Sequence, residues 1–244
     1  MSTPPSFLSS YRWTILLFVF LLGGCASVSV KNTESGNTSP QELPERIYVK
    51  KFAAPIIHFH VHRKGKSLCA LVQQERRNLA DDLLKRLRKH IAPTYILAKG
   101  EIPPQGNYWL ITGSFELVNE GSRLLRAGIG CGLGKTMMET TTQVIDLSGK
   151  STEPLLVITT TGGSGMAPGA VAALAPIGPF VLSNTLINAS GPIGGALGSG
   201  ISIDRRRTSR EIVAAISEYS VQHGLIPKKK GLHPKRLGKI PELF

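Results

Sequence analysis

Acidic side chains are scarce in this chain of 244 residues: 16 stand against 29 lysines and arginines, for a net charge of +13. A balance so basic argues against cationic partners. It favours anionic ones: phosphate-bearing lipid, lipopolysaccharide, acidic proteins or nucleic acid. Cysteine is scarcer still, three in all, too few for the disulfide framework of a small secreted scaffold. At this length, with 41% hydrophobic residues, the chain can bury a core without such staples. A spanning helix is also missing from the pattern. The apolar run Thr14–Leu22 falls well short of the about 20 residues that crossing a bilayer requires. No Ser/His/Asp or Cys/His set stands in a recognisable motif and carboxylates are sparse, so the expectation is a non-catalytic protein without a cofactor.

What is present begins with Leu22-Gly23-Gly24-Cys25, which closes that apolar run. A small apolar residue, two small residues and a cysteine resemble the lipobox of bacterial lipoproteins. Residues 1–24 then read as a signal peptide and Cys25 as the site of lipid attachment. Several acyl chains on one cysteine suffice for stable anchoring. Ala26 follows where an aspartate would favour inner-membrane retention, so the resemblance implies an outer-membrane lipoprotein facing the periplasm. In that compartment nucleic acid drops out as a partner. Residues 25–45 are rich in Ser, Thr, Asn and Gly, with few apolar side chains after Val30; they read as a flexible tether.

A domain is expected over residues 46–225. Arg46–Ala53 alternates like a strand. Then His58, His60 and His62 fall at every second position. On a strand they share one face, and two of them could ligate a metal with help from elsewhere. The third lies about 13 Å from the first, too far to share the ion, and no cysteine or carboxylate is near in sequence. An exposed histidine face is the competing reading. From Leu71 to Ile91, Val72, Leu79, Ala80, Leu83, Leu84 and Leu87 recur at helical spacing, and Pro93 stops the helix. Tyr108–Val118 is the clearest strand; 139–146 and 155–161 continue it as a meander. Thr208 and Glu211 have capping-box spacing ahead of a second helix. Residues 226–244 form a basic, turn-rich tail that anionic lipid could hold.

Two stretches are unusual. In Arg126–Thr136, Gly128, Gly130, Gly132 and Gly134 alternate. Gly134-Lys135-Thr136 imitates the end of a phosphate-binding loop, but Ile129 stands where that motif requires glycine. On a strand the four glycines share one side and admit another backbone or a ring closely. Residues 154–203 carry no charged side chain at all. Pro168, Pro176, Pro179 and Pro192 interrupt them, so a Gly/Ala-rich insertion over 162–203 reads as a packed hairpin, an oligomer contact or a membrane-inserting element. Cys69 and Cys131 remain as a candidate disulfide or as two buried small hydrophobic residues.

Glu120–Arg123, the Arg126–Gly134 run, Val144–Gly149 and Gly200–Arg207 together resemble the lipoproteins of the domain of unknown function 4410 family, over roughly residues 46–225. The resemblance carries no activity. The element order it shares with small envelope domains implies an α+β fold: a mixed or antiparallel sheet in the order β-α-β-β-β-β-α, two helices packed on it, and the uncharged hairpin. The expected function is that of a lipid-anchored envelope protein, a binding or assembly module. Its partners would be the membrane through Cys25, other envelope proteins or further copies of itself, and anionic lipid. An oligomeric secretion channel and a metal-binding envelope protein are the alternatives.

Overall fold

The structure is a computed structural model, and it describes residues 28–37, 40–121, 136–149, 153–163 and 200–236. Among these residues seven strands form one mixed sheet: β1 (Val28–Ser35), β2 (Arg46–Val49), β3 (Phe59–His60), β4 (Thr94–Ile96), β5 (Tyr108–Asn119), β6 (Met137–Asp146) and β7 (Leu156–Gly162). Two α-helices accompany them among the described residues, α1 (Gly65–His90) and α2 (Gly200–Gln222). The sheet order is β1-β7-β6-β5-β2-β4, with β3 paired to β5 off that path. β2 runs parallel to β4 and to β5, and β3 parallel to β5. The β5–β6–β7–β1 part is antiparallel throughout. This is the α+β fold of the expected order, with β1 and β3 added.

Both helices pack against one face of the sheet, α1 beside β2 and β4, α2 across β1, β6 and β7. The pleat explains the sequence pattern. Trp109, Ile111 and Phe115 point into the core from β5, as Ile47 and Val49 do from β2 and Ile158 from β7. The alternation slips by one at a bulge between Phe115 and Leu117, which brings Val118 inward as well. α1 contributes Leu79, Leu83 and Leu87, all fully buried, each stabilising by about 1.5–3 kcal/mol relative to exposure. Its last turn carries Arg88, Lys89 and His90, where cations complement the helix dipole.

Three expectations are corrected. Residues 28–35 are not tether. They form an edge strand antiparallel to β7 with Val28 and Val30 buried, because two apolar side chains suffice when the outward positions are free to be polar. α2 starts at Gly200, so Thr208 and Glu211 lie inside the helix and are buried rather than capping it. The tail reading fails for residues 226–236. Ile226 is buried, the Leu232 amide donates to Ser217 Oγ and the Lys235 amide to Glu211. The Val30 amide donates to the Lys235 carbonyl at 2.7 Å, so the segment pairs with the outer edge of β1 at Arg236. The hairpin expected over 162–203 lies almost wholly outside the described residues. Of it, only the end of β7 with Gly163 and the first turn of α2 are described.

Candidate functional site

The histidines do not share a strand face. Ile56–His58 is a single 3-10 turn, and only Phe59 and His60 pair with β5. Pro55, which has no amide hydrogen to give a ladder, precedes that turn. His58 Nδ1 donates to the Phe115 carbonyl at 2.7 Å and His62 Nε2 to the Gly121 carbonyl at 3.2 Å. These bonds tie the loop to β5. Among the described residues, no group of three or more His, Cys, Asp or Glu side chains is placed to hold a metal ion. Cys69 is not buried as one reading of the sequence expects: it is an exposed free thiol on the outer face of α1, which turns Leu68, Leu71 and Val72 inward instead. Cys25, Cys131 and the glycines at 128, 130, 132 and 134 lie outside the described residues. Strand β6 begins directly after Thr136, where a phosphate-binding loop needs a helix.

Two constellations appear that spacing did not reveal. The first is internal. Arg205 on α2 reaches α1, with Nη1 3.0 Å from Glu75 and Nε 2.9 Å from Asp82. Burial opposes its charge, but the hydrogen bonds and charges of Asp82 and Glu75 more than offset this, and its pKa is raised. Arg86 of α1 adds a bond from Nε to Ser209 Oγ at 3.2 Å. Together these fix the angle and register of the two helices.

The second lies on the surface, where β2, β4 and β5 run side by side. Tyr48 pairs in register with Tyr95, and Arg46 with Tyr108. The Tyr48 ring meets Tyr108 edge-on with centroids 5.7 Å apart, and Tyr95 at 6.3 Å. Tyr95 is 46% exposed. The guanidinium carbons of Arg46 and Arg88 stand 5.8 and 6.0 Å from the centre of its ring, within cation–π range. A side-chain hydrogen bond with Tyr48, and then the surrounding tyrosines, raise the Arg46 pKa. Arg88 is further held by a bond to the Thr94 carbonyl at 2.7 Å. The result is a pre-ordered aromatic surface with two fixed cations. It could have been found in sequence by noting that Arg46, Tyr48, Tyr95 and Tyr108 all sit on short strands, but their pairing depends on a parallel register that spacing does not contain.

A mixed sheet under two cross-linked helices, with an aromatic-cationic surface at one end, defines a small α+β domain without a recognisable reaction centre among its described residues. The chain belongs to the family described as a domain of unknown function (DUF4410), whose model matches residues 47–178. No curated protein matches it. Among solved structures, two PelC dodecamers from Paraburkholderia phytofirmans, one a single-substitution variant, are similar at 13% and 12% identity. Each alignment covers 61% of this chain and 88% or 89% of the other, with TM-scores of 0.36 and 0.35.

Proposed function

We propose that this protein is a lipid-anchored, non-catalytic component of the bacterial cell envelope, held in the outer membrane through Cys25, and that it works as a binding or assembly module. The observation that carries the binding role is the surface of Tyr95, Arg46 and Arg88. Tyrosine and arginine are the residues enriched at the centres of protein interfaces. Here the exposed ring is braced by two others and both guanidiniums are already oriented, so little side-chain freedom is lost on contact. Two fixed cations suit a carboxylate-bearing partner.

A second copy is the reading favoured by the sheet edge. β4 ends the strand order on this side, and no strand lies beyond it among the described residues. The other edge, β1, is occupied by Lys235 and Arg236. The test is the solution mass of the Cys25→Ser chain by light scattering, with and without mild detergent. A defined oligomer that Arg46→Ala and Tyr95→Ala reduce to monomer supports assembly through this surface. A monomer under both conditions removes self-assembly and turns the search to acidic envelope proteins. Labelling by a fatty acid, lost in Cys25→Ser, tests the anchor; undiminished labelling would sink it.

A further inference from the structure

The sheet begins almost at the anchor. Val28, the first residue of β1, is only 1% exposed and pairs with Gly162 at the end of β7. Only Ala26 and Ser27 separate it from Cys25, and three steps along the chain reach at most about 11 Å. A lipidated Cys25 therefore cannot let the domain hang at a distance. It must bring one particular end of the sheet to the bilayer.

That end is defined by register. β5 finishes there at Asn119, paired with Met137 at the start of β6 and with His60 of β3. α1 starts there at Gly65, and the hydrogen bond of Thr136 to Asp204 places the first turn of α2 there as well. Ile57 stands 79% exposed and Ile56 51% exposed on the turn leading into β3, an unusual place for two isoleucines on a water-facing surface. The basic residues Arg63, Lys64 and Lys66 lie between β3 and the first turn of α1, the two lysines exposed, with His60 and His62 beside them. The nearby acids are engaged: Glu139 accepts from Thr161 and Glu116 from Ser114. The opposite end is mixed in charge: Glu42, Glu45, Glu101, Asp146 and Glu153 stand there with Arg46, Arg88, Lys89, Lys99 and the exposed Lys228, Lys229 and Lys230.

Resting on the reading that Cys25 carries lipid, we propose that this end of the sheet docks directly on an anionic lipid surface, with Ile56 and Ile57 entering the interface and Arg63, Lys64 and Lys66 meeting its phosphates. An apolar tip ringed by cations is the chemistry that such an interface selects. The Tyr95 surface, at the opposite end, then faces away from the membrane.

The experiment uses full-length lipidated protein in vesicles of phosphatidylethanolamine and phosphatidylglycerol. In a Cys69→Ser, Cys131→Ser background, one variant carries Ile57→Cys and another Ile102→Cys, each labelled with a fluorophore. Ile102 is 87% exposed on the loop between β4 and β5, at the opposite end, so neither substitution touches the core. Nitroxide lipids are expected to quench the label at 57 several-fold more than the label at 102. Equal quenching, or the reverse, with fatty-acid labelling of Cys25 intact, overturns the docking while the anchor stands. Loss of that labelling overturns both. As a second arm, about twelve Gly/Ser residues inserted between Ser27 and Val28 lengthen the link. The quenching at 57 should then fall several-fold; quenching that stays unchanged overturns the part assigned to the short link.

Discussion

Arg205 contributes nothing to the basic surface that the composition announces. It is spent inside, between Glu75 and Asp82. Arg205→Ala should lower stability by about 3–5 kcal/mol, since it strands two carboxylates near the core. Arg205→Met combined with Glu75→Met should recover much of that loss; the denaturant midpoint measures both. Tyr219 makes a second point. Burial first, and then Asp146, raise its pKa above the ordinary 10.0. Its hydroxyl finds no hydrogen-bond partner among the described residues. Above about pH 10 the unfolded chain gives up this proton before the folded one does, so stability falls as pH rises through that window. Tyr219→Phe should remove that contribution to the alkaline slope and leave stability at neutral pH within about 1 kcal/mol of the parent. His90 works in acid. Burial first, then Lys89 and Arg86, lower its pKa from 6.5. Below that value the unfolded chain holds more protons than the folded one, and stability drops as the pH falls. His90→Gln should flatten that acid limb in urea titrations.

At the scale of elements, Gly113 of β5 shows how tightly strand and loop meet. A β-carbon there would stand 2.3 Å from the Thr141 carbonyl oxygen and 2.7 Å from the Phe52 ring. Gly113→Ala should cost about 1–3 kcal/mol by overpacking, read as a lower melting temperature. The central strands and α1 were legible because their periods are strong: Trp109, Ile111 and Phe115 alternate, while Val72, Leu79, Leu83 and Leu87 recur at helical spacing. β1 was illegible because an edge strand needs few apolar residues. After Val30 its sequence is Lys-Asn-Thr-Glu-Ser, which reads as linker until β7 is there to pair with it. The three histidines misled for the opposite reason: a perfect two-residue period, broken by a turn after Pro55. The candidate surface was hidden because Tyr48, Tyr95 and Tyr108 become neighbours only through parallel pairing. The Arg205 clamp was hidden because its partners are on the other helix, more than a hundred positions away.

For the molecule as a whole, the folding unit takes in Val28 ahead of Arg46 and Arg236 beyond α2. A chain beginning at 46 should be less stable than one beginning at 27 by roughly 3–6 kcal/mol, from two buried valines at about 1.5–3 kcal/mol each. Thermal unfolding of the two side by side would show it, and equal melting would contradict the place given to β1. No helix among the described residues is long and apolar enough to cross a membrane.

The bond from the Val30 amide to the Lys235 carbonyl ties almost the first described residue to almost the last. It therefore works as a latch. Once β1 has joined β7, its outer rim is open until the segment around Lys235 closes over it, and a bare strand rim pairs readily with other chains. A chain in which this segment comes loose would keep its sheet and offer that rim to other chains.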